Sequence, residues 1–587
     1  MHPKKNAFKF GPKGEGVRQS DLLLRGGTVL NVYSGELLKM NVAIKGERIL
    51  YVGQLWEAGG EGTAVLDVEK KILVPGYVEP HCHPWVFYNP LSFAKEAGRL
   101  GTTTFFCDSL LFYLLMGPDK FESFISVLSD MPVKFFWTCR TAPQSPMENE
   151  DELFSVDKIE RLLRNQNVAS LGEITRWQDL LNGDPKLMAL VGIAKRLKKR
   201  VDGHTAGANY EKLNGLSWSG VESCHESIHG EQALERLRLG LYVMLRQSSL
   251  RRDLKALLKT IISQNVLLDR MMLTTDGSSP SFYQEFGIND NLIKIAMQAG
   301  LDPVSAYRMA TINPAVYFGV EGDIGGIAPG RYADILVLED LRMPTPETVI
   351  SKGRIIAKRG ALTLPFPEVN WKEFFPGSCF CKRPWKAKDE DFRIPSCESH
   401  IRFPTIDLVS AVITRTEWLE FRVRDGFLDL DGRKGLSHIA VINKDGKWVT
   451  NGLIRNFAEG VEGFASSYNT AAEILVMGNS PSAMSAAVNR VIELGGGIAA
   501  FEAGRIAYEL KLPLGGIMSE SPMSELAEKE EELKAYLSGK GHPYHDPIYT
   551  LVFLPNDFLP EVRINYNGIV DIKRKETLWK RRDLTGH

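Results

Sequence analysis

The stretch YVEPHCH, residues 77–83, joins a short apolar run to two histidines one residue apart. Residues 77–79 suit a β-strand. Alternate side chains of an extended chain point the same way, so His81 and His83 leave the strand end on one face. Seven further strand-like runs follow, at 103–107, 133–139, 168–171, 200–202, 220–223, 241–245 and 271–274. Between most of them lie stretches with helical spacing, among them DKIERLLRNQN (157–167), LMALVGIAKRLKKR (187–200), GEQALERLRLG (230–240) and LRRDLKALLKTIISQ (250–264). Eight strands alternating with helices within 73–318 predict an α/β fold, a (β/α)8 TIM barrel, in count and in size. An open doubly wound sheet is the alternative, but the first strand lacks the GxGxxG turn of a dinucleotide site.

On either side of that region the pattern changes. DLLLRGGTVLNVYSGELLKMNVAIKGERILYVG (21–53) consists of short β-branched runs cut by Gly, Asn and Ser. The same signature returns in GDIGGIAPGRYADILVLED (322–340) and ETVISKGRIIAKRGAL (347–362). Two such pieces flanking the barrel predict one small split β-sheet domain, 1–72 plus 319–365, into which the barrel is inserted. Residues 366–430 read as an irregular insert rich in aromatics, Pro and Lys. A C-terminal α/β domain is expected over 431–587, with strands in HIAVINKDG (438–446) and AAEILVMG (471–478) and a helix in PSAMSAAVNRVIELGGG (481–497). SPMSELAEKEEELKAYLSGKG (521–541) reads as a capped, solvated helix.

The chemistry lies in where His and acidic residues fall. His81 and His83 end the first strand, Glu173 the fourth (SLGE), His204 the fifth (RVDGH), His225 the sixth (VESCH) and Asp276 the eighth (MLTTD). That end of the barrel is where such enzymes build active sites. A lone HxH is a weak sign, and a Glu or His after a strand is more often a loop residue or a helix cap. Joint placement on five strand ends carries the weight. Four imidazoles and two carboxylates at one point suit two divalent cations with one carboxylate between them.

The order HxH, Glu, His, His, Asp on eight strands, wrapped by a split sheet, resembles the amidohydrolase superfamily. Longer phrases are similar to bacterial adenine deaminases: PGYVEPHCH, GTTTFFCD, LGEITRW, VDGHTAG, SCHES, LTTDG, MATINPAVYFG and, near the C-terminus, FASSYN, LPLGGIMSE and DPIYTLVFL. The resemblance implies that His81, His83 and Asp276 hold one metal, that His204 and His225 hold the other, and that Glu173 bridges them. It implies Mn²⁺ or Fe²⁺, with Zn²⁺ possible, and a 6-aminopurine base, adenine, as substrate; N6-methyladenine is expected beside it from the residues Trp85 and Gly277. A divalent pair brings a water toward a pKa of about 7. Asp276 is expected to take the proton of the attacking water and pass it to the departing amine. Glu226 is the candidate for ring N1, as acid or as a base contact, although a Glu opening a helix is a common N-terminal charge. Arg246 and Gln247 end the seventh strand and are expected against the substrate, a rim ion pair being the bland reading.

Three departures from the family pattern concern the substrate. A Glu usually follows HxH, where this chain has Trp85 in HCHPWVFYNP (81–90). A second acidic residue usually follows the strand-eight Asp, where this chain has Gly277. An SVAHDSH-like phrase is replaced within SSYNTAAE (466–473). An indole and a glycine there predict a pocket with apolar surface and extra room, one that tolerates an alkyl group on N6.

Composition excludes some classes. Lys and Arg total 71 against 72 for Asp and Glu, without the basic excess of a protein that neutralises many phosphates. The expected partners are the small purine base and further copies of the chain, with no nucleic-acid polymer and no membrane. MHPKKNAFKFGPKGEG (1–16) is not followed by a signal-like apolar run. Seven cysteines, an odd number, do not read as a disulfide framework, and a cytoplasmic setting is expected. Cys379, Cys381, Cys397 and His400 cluster in sequence, but CxC is not the usual zinc spacing, and free thiols are the default. Rival functions are hydrolysis of a cyclic amide or imidazolone by the same centre, or a non-enzymatic regulator on a degenerate barrel. A cytidine-deaminase site would need HxE with PCxxC, which is absent at a usable spacing.

Overall fold

A computed structural model describes residues 20–54, 62–376, 380–383, 385–430 and 433–584. Eight parallel strands lie side by side in chain order: Tyr77–Cys82, Thr102–Asp108, Lys134–Cys139, Val168–Ile174, Arg200–Gly203, Ser223–Cys224, Tyr242–Arg246 and Met271–Thr274. A parallel bridge between Cys82 and Asp276 joins the first to the end of the last and closes the barrel. Seven strands fall where the sequence pattern expects them, and the sixth, expected at 220–223, lies at Ser223–Cys224 and shares only Ser223 with that run. TTTFFCD shows why: all seven residues are buried, and a parallel strand covered on both faces reads as a near-continuous apolar or β-branched run.

Alternation along the strands sends side chains to two environments. Phe105 and Phe135 stack at 5.3 Å, and Phe105 meets Phe93 of the helix Pro90–Arg99. Their neighbours Phe106 and Phe136 stack at 5.0 Å on the other face, where Phe318 of the helix Ile312–Phe318 lies flat on Phe106. The outer helices start where local chemistry directs. In Pro185–Arg196, the Asp184 carboxylate accepts from Leu187 N, and proline opens the first turn, where its missing N–H costs nothing.

A nine-stranded sheet draws on chain from before and after the barrel. Its strand Ile72–Pro75 pairs antiparallel with Ile335–Leu338, in register Val74 to Leu336. Lys134, in the third barrel strand, reaches Asp334 of this sheet in a buried ion pair of 2.7 Å.

A ten-stranded sheet follows, with the helix Pro481–Leu494 packed on it. Three of its strands, His400–Leu408, Thr414–Arg424 and Phe427–Asp429, lie inside the stretch read as irregular. TRTEWLEFRVR exposes most of its length, so the charges and Trp that made it look unstructured are the solvent side of an antiparallel hairpin. The helix Met523–Gly539 also departs from expectation. It has no side-chain cap, and it buries Met523, Leu526, Leu533, Leu537 and Glu530. Glu530 accepts from Ser281 N at 2.7 Å and pairs with Lys534, fastening the helix to Pro280–Phe286. Its many charges mask a narrow apolar stripe. Among the described residues no helix is long and apolar enough to cross a membrane.

Candidate metal centre

The strand ends bring His81, His83, Glu173, His204, His225 and Asp276 into one buried cluster. Donor atoms of His81, His83 and Asp276 lie within 4.8 Å of one another, as do those of Glu173, His204 and His225. His83 Nε2 stands 2.9 Å from Asp276 Oδ1, and His81 Nε2 stands 3.6 Å from it. Glu173 Oε2 faces His204 Nδ1 at 2.8 Å, His225 Nε2 at 3.1 Å and His81 Nε2 at 4.0 Å, a position between the two sets. The rings pack as well, with His81 and His225 stacked at 4.0 Å. Two further triads overlap these: His81, Asp202 and His225, and His225, Glu226 and Asp276.

Side chains behind the cluster orient it. Asp202 Oδ2 lies 3.4 Å from His81 Nδ1, and Ser223 Oγ donates to Asp202 Oδ1. Asp108 lies 3.6 Å from His83 Nδ1. Arg140 donates to Asp108 through Nε and to Glu173 Oε1 through Nη2. Glu79 accepts from Thr274 Oγ1 and Thr275 Oγ1, tying the first strand to the last; burial pushes its carboxyl up to about 7. Asp108, Arg140 and Asp202 escaped the sequence reading, although Asp108 ends the second strand and Asp202 precedes His204 by two residues. A single acid after a strand is too common to stand out.

Glu226 does not open a helix; Gly230–Arg238 starts later. It is buried and aims at the cluster, with Oε1 at 3.4 Å from His225 Nε2 and 3.6 Å from His204 Nδ1. Arg246 Nη1 donates to Glu226 Oε1 at 2.7 Å and to Asp276 Oδ2 at 2.6 Å, and Arg251 donates to Glu226 Oε2 at 2.9 Å. Arg246 is thus an ion-pair partner buried between two carboxylates and not a rim residue. Gln247 is buried too, and its Oε1 has no partner among the described residues.

Burial alone would raise these acids, but neighbouring cations outweigh it. Arg246 and His83 hold Asp276 well below the carboxylate range. Arg140 and His204 do the same for Glu173, and Arg246, His204, His225 and Arg251 bring Glu226 to about 2. Conversely, burial would lower His83 and His204, yet Asp108 and Asp276 carry the first to about 10, and Glu226 and Glu173 the second to about 9. The site demands positive charge. Six carboxylates (Asp108, Glu173, Asp202, Glu226, Asp253, Asp276) face three guanidiniums (Arg140, Arg246, Arg251), leaving three negative charges for protonated imidazoles or bound cations to balance. His81 Nε2 is buried among these donors with no hydrogen-bond partner among the described residues. Imidazole and carboxylate donors in a site short of positive charge fit divalent first-row cations. Thiolate takes no part, since Cys82 Sγ turns to Cys107 Sγ at 3.6 Å.

The expected room at Gly277 is absent. A Cβ there would meet Tyr549 Oη at 2.7 Å and His83 at 3.2 Å, and the Tyr549 hydroxyl donates to Gly277 O. Tyr549 comes from the helix Pro547–Phe553, 272 residues away in the chain, and no local pattern marks it. Trp85 is buried, edge-on to His83 at 5.2 Å and tilted against Tyr468 at 6.5 Å, and its Nε1 has no partner among the described residues. Aromatic side chains therefore surround both positions, Trp85 at the first and Tyr549 against Gly277 at the second. Of the CxC cluster, Cys379 lies outside the described residues, Cys381 and Cys397 are free thiols, and no metal-ligating group forms there among the described residues.

Comparison with known proteins adds an independent line. Residues 72–356 match the family model of the amidohydrolases, and residues 411–576 match that of the adenine deaminase C-terminal domain. A candidate adenine deaminase of Bacillus anthracis is 35% identical over 95% of this chain and 94% of its own. Another, from Halalkalibacterium halodurans, is 36% identical over the same shares. The adenine deaminase of Moorella thermoacetica is 31% identical over 95% of each chain.

Proposed function

The chain belongs to the adenine deaminase family of amidohydrolases, and on that premise we propose that it hydrolyses the C6–N bond of a 6-aminopurine base. It is a hydrolase acting on C–N bonds. The substrates we assign are adenine and N6-methyladenine, giving hypoxanthine with ammonia or methylamine. The observation that supports this best is the convergence of four imidazoles with Glu173 and Asp276 around a buried, unpartnered His81 Nε2.

We assign His81, His83 and Asp276 to one divalent cation, and His204 and His225 to a second, with Glu173 between them. Mn²⁺ and Fe²⁺ suit these donors, and Zn²⁺ is chemically possible. Held by these residues, such cations would lower the pKa of a water toward about 7 and would so supply a nucleophile at neutral pH.

Asp276, kept ionised by Arg246, accepts one proton of the attacking water and returns it to the departing nitrogen, while the water's other proton ends on ring N1 of hypoxanthine. Both oxygens of Glu226 already receive guanidinium donors. It therefore serves as an acceptor for an N–H of the base, and not as the acid for ring N1. The unpartnered Gln247 Oε1 is a second acceptor. Trp85 beside His83 bears on N6: with an indole there, no buried acid requires a second exocyclic N–H. Such an acid left unpaired would cost about 1–3 kcal/mol, whereas a buried methyl contributes about 0.8 kcal/mol. N6-methyladenine is then deaminated at least as well as adenine.

The test is kcat/KM for both bases with Mn²⁺-loaded protein, following hypoxanthine and released amine. A tenfold preference for adenine would reject the N6 assignment. No hypoxanthine from either base, or ring opening without amine release, would reject the deaminase reading.

A further inference from the structure

The metal centre is not sealed evenly. The side chains of His81, Glu173 and His225 are at most 2% exposed, whereas His83, His204 and Asp276 keep 11%, 12% and 15%. The approach to the cluster therefore lies over those three. One short segment near the end of the chain borders them twice. Its helix Pro547–Phe553 sets Tyr549 against Gly277, the residue after Asp276. Just past the helix, the half-buried Phe558 stands edge-on to His204 at 5.3 Å. This ring keeps accessible surface: with Thr175 and Ala206 it lines a cavity of about 600 Å³ outside the barrel mouth.

Phe558 is held there by a clamp built from three remote stretches of chain. Asn556, fully buried, shapes the turn, its Oδ1 accepting from Phe558 N at 3.3 Å and Leu559 N at 3.1 Å. Asp557 N donates to Gln144 O at 3.0 Å. Asp557 Oδ2 accepts from Arg176 Nε at 3.0 Å, and Nη2 of the same guanidinium donates to Glu150 Oε2 at 3.2 Å. These ion pairs are partly buried, so salt screens them little, and a planar fork fixes direction as well as distance. Arg176 follows Glu173 by three residues, which anchors the clamp on the strand end that carries that carboxylate.

Resting on the deaminase reading, we propose that Phe558 is a substrate-contact residue, an aromatic wall for the purine on the His204 side of the opening, and that Arg176 is the positioning residue that holds it there. A planar heterocycle gains buried apolar area and an aromatic contact from such a ring. Arg176 acts only through Asp557, the neighbour of Phe558.

Calorimetry with hypoxanthine, adenine kinetics and amide hydrogen exchange test this on Mn²⁺-loaded, full-length protein. Phe558→Ala leaves every ion pair in place. It should weaken hypoxanthine binding and raise KM for adenine about tenfold, with kcat within about twofold, as expected for one lost aromatic contact. Arg176→Met should act in the same direction and speed exchange across 556–559. Because Arg176 works through Phe558, the double variant should bind hypoxanthine no more weakly than Phe558→Ala alone. Unchanged affinity in Phe558→Ala overturns the substrate contact. Losses that add in the double variant, or faster exchange with affinity intact in Arg176→Met, overturn the positioning role. A wild type that deaminates no purine refutes the reaction reading itself, whereas an active wild type matched by Phe558→Ala refutes only this inference.

Discussion

His81 leans on Asp202, His83 on Asp108, Glu173 on Arg140 and Asp276 on Arg246, so four of the six side chains assigned to the metals are oriented from behind. His81→Asn and Asp276→Asn are expected to lower kcat/KM at least a thousandfold and to cut bound metal, with circular dichroism unchanged. Asp276→Asn retaining more than a few per cent of activity would remove its proton-transfer role. Arg140→Met makes a different point. It strands two buried carboxylates, a loss of roughly 3–5 kcal/mol that a thermal melt would register. At this scale the sequence showed the donors because six of them share one kind of position, the end of a barrel strand. It hid the supports, since Arg140 gains meaning only from Asp108 and Glu173, which lie on other strands.

Among the elements, the strand–turn at Thr274–Gly277 depends on a helix from the far end of the chain. Asp276 adopts a left-handed backbone, φ +53°, and the next carbonyl is capped by the Tyr549 hydroxyl. Tyr549→Phe keeps the ring and leaves that carbonyl without its donor, at a cost of about 1–3 kcal/mol. The expected result is a lower melting temperature together with a several-fold fall in kcat. A lower melting temperature with kcat intact would reduce Tyr549 to a packing role. The barrel strands were legible because burial on both faces makes them apolar throughout. Even Ser223–Cys224, only two residues long, could be found from the spacing of its neighbours. The hairpin His400–Leu408 and Thr414–Arg424 was not legible, because one face meets water and the other packs on distant chain. Tyr549 was invisible for the same reason: its partner is remote.

For the molecule as a whole, acid stability has a source away from the metal centre. His438 is buried in the ten-stranded sheet, and burial, with Arg393 nearby, lowers it to about 4. Below its ordinary value of 6.5 the unfolded chain takes up a proton that the folded chain refuses. Stability therefore falls as pH drops from about 6.5 to about 4, by roughly 3 kcal/mol from this residue. His438→Phe should shrink the difference between urea midpoints measured at pH 7 and pH 4.5. Equal differences in variant and wild type would clear His438 of that role.

The barrel is a hoop, and one backbone bridge, Cys82 to Asp276, fastens its ends, backed by Thr274 Oγ1 donating to Glu79 and to the His81 carbonyl. The side chains flanking that bridge, His81, His83 and Asp276, are those assigned to one cation, so the ion would act as a rivet through the overlap of the hoop. Pulling it with a chelator should speed amide hydrogen exchange in Tyr77–Cys82 and Met271–Thr274 well before Lys134–Cys139 on the far arc. Uniform loosening around the ring would mean that the hoop holds without its rivet.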